Sequence, residues 1–238
     1  MKSPVLLLST CFYLSLASCT MTPCIEGSGE KISKDLDNDD FSRIALASFD
    51  ANIQQGNAFS VEITGYENIF EYLDIKQKGD LLVLGTQNGV CFNETELTAN
   101  IVLPKLEGLT ISGSGDVVTS DFDQAVDLEL GINGSGSITT GQLSNIGKLA
   151  SYINGSGDIE LQGVAQSGSV TIAGSGTFNA YEMKMQTADA NIIGSGDCYL
   201  NVVEDLNASI TGSGDIIYEG SPKVKTNITG SGDIESRR

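Results

Sequence analysis

The tripeptide Gly-Ser-Gly recurs seven times between residues 113 and 232, and no other feature of the chain restricts its fold as strongly. The first glycines are Gly113, Gly134, Gly155, Gly174, Gly194, Gly212 and Gly230, with spacings of 21, 21, 19, 20, 18 and 18 residues. The closing glycines are Gly115, Gly136, Gly157, Gly176, Gly196, Gly214 and Gly232. Seven copies near one period are the mark of a repeat architecture. Two residues before each first glycine stands an isoleucine: Ile111, Ile132, Ile153, Ile172, Ile192, Ile210 and Ile228. Just beyond each motif's fourth residue stand Val117, Ile138, Ile159, Phe178, Cys198, Ile216 and Ile234. Two apolar columns therefore flank every turn.

Upstream of the turns, runs such as Leu128-Glu-Leu130-Gly-Ile132 and Leu206-Asn-Ala208-Ser-Ile210 alternate with a period of two, which demands strand rather than helix. Identical turns at identical offsets are satisfied most simply by coils that each set their Ile above the Ile of the coil before, about 4.8 Å apart. The expected fold is all-β: a parallel β-helix over 106–238, the seven Ile residues its core ladder. Each Gly-Ser-Gly supplies two residues free to take positive φ, so that the backbone can turn sharply between strands. Cys198 falls in a column otherwise filled by Val, Ile and Phe and reads as a small buried hydrophobe.

Ahead of the repeats, residues 41–105 carry alternating runs (FSVEIT, LDIKQ, DLLVLG, LTANIVL) separated by turn signals, which read as strands that extend or cap one end of the solenoid. At the other end, the charged Glu235-Ser-Arg-Arg238 discourages edge-to-edge growth. Residues 19–40 are polar and acidic with no apolar periodicity, and are expected to be a flexible tether.

Residues 1–18 have the form of a signal peptide: Lys2, then an apolar run from Val5 to Leu16 that is too short to span a bilayer as a helix. The run ends in Leu16-Ala17-Ser18-Cys19, which resembles the lipobox of bacterial lipoproteins. That resemblance makes Cys19 the lipidation site and the membrane a partner through its acyl chains. Thr20 is not the aspartate that would signal inner-membrane retention, so the expected location is the outer membrane, facing the periplasm or the surface. With Cys11 lost in the signal and Cys19 lipidated, Cys24, Cys91 and Cys198 remain, and an odd number cannot pair fully. Export permits a disulfide, and Cys24 with Cys91 is the combination entertained, although sequence does not fix the pairing.

The tether's CIEGSGE, the opening FSRIALASFDANIQQG, the junction LPKLEGLTISGSGD and the repeats INGSGS, INGSGD, IAGSGT, IIGSGD and ITGSGD together resemble the head GIN domain family, described as "putative autotransporter adhesins". The resemblance covers most of the chain beyond the signal. It implies a right-handed β-helix-like fold, export and an adhesin-like role, and it brings no catalytic residues. Ser137 and Thr177 depart from the pattern, replacing the aspartate that follows Gly-Ser-Gly in five of the seven turns.

The chain has no histidine, which excludes His-based acid/base chemistry, Ser-His or Cys-His nucleophiles and His-ligated zinc. A net charge of -18, from 31 acidic and 13 basic side chains, argues against nucleic acid as a partner. Paired carboxylates could still hydrolyse a glycoside, so a carbohydrate-active β-helix enzyme is the alternative reading. Repeated acids in turns and the absence of tryptophan weigh against it. Asp116, Asp158, Asp197, Asp215 and Asp233 read as caps of turn N–H groups. The nine-residue calcium-binding repeat of secreted toxins does not fit the period here. Only Asp197, Asp215 and Asp233 follow one another without interruption, and they amount at most to a weak calcium site; no other cofactor is expected. The function expected is a membrane-anchored envelope scaffold that binds a protein or glycan partner through the β-helix surface.

Overall fold

A computed structural model of the chain describes residues 24–237 apart from 94 and 125. Strand dominates, and the four longest, Ser137–Gly155, Asp158–Gly174, Thr177–Gly194 and Asp197–Gly212, each run from one Gly-Ser-Gly turn to the next. Along them, buried and exposed residues alternate, so one set of side chains fills the interior and the other faces solvent. Consecutive coils pair in parallel, building a β-solenoid of about six turns.

The register joins Ile111, Ile132, Ile153, Ile172, Ile192, Ile210 and Ile228 in one unbroken column. The second column, Val117 through Cys198 to Ile234, is likewise in register. The first six isoleucines are fully buried, but Ile228 is 43 % exposed. That rung departs from the expected core ladder because, among the described residues, no strand pairs with the outer edge of Lys223–Gly230, which leaves that side of Ile228 open.

The region before the repeats both extends and closes the solenoid. Arg43–Ala47 and Asp50–Gln55 pair in parallel with the first Gly-Ser-Gly coil, setting Leu46 beside Ile111 and Ala51 beside Val117. This is an additional coil without the tripeptide. Ser48 stands at the place of the first glycine and takes a φ of 60°. Leu81–Thr86 and Thr98–Leu103 pair in parallel beyond that coil. Outside them the pairing turns antiparallel, through Leu73–Lys78 on one side and Ser60–Tyr66 with Lys31–Leu36 on the other. The side chains of Ile63, Ile69 and Leu97 fill this end.

The tether expected over 19–40 is therefore corrected for its described part. Lys31–Leu36 is a six-residue strand, and Ile25 and Glu26 bridge to Phe92 and Asn93. Partial burial of Ile32 and Leu36, a Ser33–Thr64 hydroxyl contact of 2.8 Å and Lys34 lying 4.7 Å over the Phe70 ring hold an otherwise polar segment on the sheet. Cys24 and Cys91 form a disulfide that anchors it. Residues 1–23, including the signal and Cys19, lie outside the described residues. Among the described residues, no helix is long and apolar enough to cross a membrane.

Candidate functional site: the walls of the solenoid

Every first glycine of the tripeptide has positive φ, from 116° at Gly113 to 145° at Gly134, as the sharp turn requires. The closing glycines do not share this conformation, and their role differs from the one expected. A Cβ placed on Gly196 would overlap the carbonyl oxygen of Gly176 in the preceding coil, and the same contact recurs from Gly136 on Gly115 to Gly232 on Gly214. Glycine is required there because backbone packs on backbone. The turn serines complete the stacking: Ser156 N–H donates to the Gly134 carbonyl at 2.9 Å and Ser195 N–H to that of Gly174 at 2.8 Å.

The aspartates after the turns bond between coils rather than within their own. Asp197 Oδ1 accepts from the Asp215 N–H at 3.1 Å, and Asp215 Oδ1 from the Asp233 N–H at 2.9 Å. Asp158 Oδ1 accepts from the Thr177 N–H at 3.0 Å, and Asp116 Oδ1 from the Ser137 hydroxyl at 2.7 Å. The two substituted turns thus retain the contact as donors. Among the described residues, no group of three or more Cys, Asp or Glu side chains converges in a way that could hold a metal ion.

Cys198 is fully buried and unpaired, and desolvation, reinforced by the neighbouring Asp197 charge, pushes its thiol far above the ordinary range. It is a packing residue, unsuited to nucleophilic work.

The interior is filled by side chains, so the outward columns are what the solenoid offers to other molecules. On the wall that leads into the turns, Ser169, Asp189, Asn207 and Lys225 form one column. Thr171, Asn191, Ser209 and Asn227 form a second, two residues further along each strand. Between them Ala190 and Ala208 are buried, and a shallow groove of about 730 Å³ runs along the two columns. Asn207 Nδ2 donates to Asp189 Oδ1 at 2.7 Å; such short amide and hydroxyl groups, repeated once per coil, suit hydrogen bonding to an extended ligand. These residues were not singled out in the sequence, where they appear only as the polar half of the alternation.

A family model described as "Putative auto-transporter adhesin, head GIN domain" matches residues 40–222. No curated protein matches the chain. Among solved structures, a "putative adhesin" from Bacteroides fragilis is 26 % identical, with a TM-score of 0.83, over 90 % of this chain and 100 % of that one. A "putative lipid binding protein" from Parabacteroides distasonis is 25 % identical, with a TM-score of 0.74, over 91 % and 100 %. A "putative adhesin" from Parabacteroides merdae, at 24 % identity and a TM-score of 0.69 over 91 % and 100 %, shares the fold. With 183 of its residues inside the family model and the stacked Gly-Ser-Gly coils in place, the chain belongs to the head GIN domain family.

Proposed function

We propose that this protein is an exported, non-catalytic, adhesin-like envelope protein, held to the outer membrane by lipid on Cys19, that binds a protein or glycan partner through the walls of its solenoid. The observation that carries this reading is the outward face itself. Short polar side chains repeat in register along a shallow groove, on a scaffold whose interior is packed shut. Membership of a family named for adhesins, and solved relatives named as adhesins or lipid-binding proteins rather than enzymes, supports the same direction. The lipobox-like Leu16-Ala17-Ser18-Cys19 supports the anchor.

Two measurements test it. Radiolabelled fatty acid should enter the wild type and not Cys19→Ala, which should also lose membrane retention; equal labelling of the two would refute the anchor. For the wall, full-length protein in detergent is incubated with envelope extract, half of it protease-treated and half periodate-oxidised to separate protein from glycan partners. Capture should be lost in the double variant Asn191→Arg, Ser209→Arg. Capture that survives this substitution places the interaction elsewhere on the molecule.

A further inference from the structure

The repeat lengths range from 18 to 21 residues, and the register concentrates that variation in one part of the coil. Through the turns and the strands leading into them, neighbouring coils pair continuously. The shifts fall between Thr139 and Ile146, between Glu160 and Gln162, and between Ala180 and Thr187. The third is the largest: Ala180 pairs with Leu200 and Lys184 with the very next residue, Asn201, so Tyr181, Glu182 and Met183 have no counterparts in the following coil. Bulges of this kind re-aim side chains and gather at binding and active sites.

Here three successive coils bulge at the same corner, and a cleft of about 320 Å³ opens between them. Glu160, Gln162, Asn179, Tyr181, Glu182 and Arg237 line it. Tyr181 packs against Tyr199 with ring centroids 5.2 Å apart. The Arg237 guanidinium lies 4.6 Å over the Tyr181 ring and pairs with Glu219 at 3.2 Å, so its charge is already matched. Glu160 and Glu182 are exposed and have no ion-pair or hydrogen-bond partner among the described residues. Thr140, also in the lining, keeps a buried hydroxyl with no hydrogen-bond partner.

The chemistry of this lining narrows the ligand. Two free carboxylates on a chain of net charge -18 repel anions. The cleft lies at the small end of ligand sites, which run from roughly 300 to 1,000 Å³, and is too small for a folded partner. A sugar ring matches what remains, since its C–H face can lie on the flat guanidinium that Arg237 stacks over Tyr181 and its hydroxyls donate to carboxylates and exchange hydrogen bonds with amides. We propose that this bulged corner is a subsite for a neutral saccharide, with the Arg237 guanidinium stacked on Tyr181 as its floor and Glu160 and Glu182 as hydroxyl acceptors. The inference rests on the wall-binding reading and supplies a ligand class and a place for it.

The chain has no tryptophan, so tyrosine emission can be followed without that background. Full-length protein in a detergent without sugar headgroups is titrated with maltose, cellobiose, lactose and mannobiose. At least one should give a saturable change, which Glu160→Gln weakens roughly tenfold by removing a charged acceptor. Tyr181→Ala should abolish it, and Lys78→Gln, exposed on the antiparallel end and outside both the groove and the corner, should leave it intact. Glu160→Gln removes only an exposed charge, so its effect is not a folding defect. Absence of any saturable change overturns the subsite, as does a change that survives both corner variants. If envelope capture through the groove persists in either case, the saccharide subsite fails while the proposed function stands.

Discussion

At the scale of single residues, the tripeptide Gly-Ser-Gly serves two different physical needs with one repeated residue. Its first glycine answers to dihedral angle and to space together, because from Gly134 onward a Cβ there would also overlap the preceding coil's carbonyl, and its closing glycine answers to space alone. The sequence suggested only the first, because a close approach between coils exists only once the coils are stacked. The two needs separate experimentally. Gly79 has a φ of 61° and open space around it, so Gly79→Ala should cost about 1 kcal/mol of left-handed strain. Gly196 lacks positive φ but faces the Gly176 carbonyl, so Gly196→Ala should cost about 3 kcal/mol through overpacking that no side-chain rotation relieves. Urea midpoints measure both; a cost at Gly196 no larger than that at Gly79 would contradict the space requirement. Cys198 was legible in advance, because its column position fixes an inward direction whatever its chemistry.

At the scale of turns and strands, the aspartate column is a set of cross-coil hydrogen bonds. Capping was expected from the residue type, but the recipient N–H groups belong to the next coil, which local sequence does not reveal. Asp215→Asn keeps an oxygen acceptor for the Asp233 N–H and should leave stability unchanged, whereas Asp215→Ala should cost about 1 kcal/mol. Millimolar calcium should not raise the melting temperature of the wild type. A rise that Asp215→Asn abolishes would instead make Asp197, Asp215 and Asp233 a cation site. The strand Lys31–Leu36 escaped the sequence reading for a related reason. Its polar composition resembles a tether, and its hold on the sheet comes from distant partners, Thr64 and Phe70. The coil over 43–55 was hidden because Ser48 replaces the glycine that marks the others.

At the scale of the whole molecule, a solenoid is a stack in which each layer contacts only its neighbours, so its two ends are special. One end is closed by antiparallel strands and a disulfide; at the other, Lys223–Gly230 lies exposed along its whole length, followed by the short strand Ile234–Ser236. Lys223 and Lys225 on that edge, with the charges beyond it, disfavour pairing with another chain. The repeat period made the stack and its inward columns legible, because period and register are the same information. It could not show where the stack stops burying its members, nor that uneven repeat lengths converge on one corner. The central claim is that the isoleucine column is a core built by stacking, with burial set by position in the stack. Equilibrium urea unfolding of Ile172→Asp and Ile228→Asp tests it most directly. Ile172 is fully buried between two coils and Ile228 is 43 % exposed on the last, so the first substitution should cost more than about 4 kcal/mol and the second about 1 kcal/mol or less. Equal losses at the two positions would contradict the stacked-coil core.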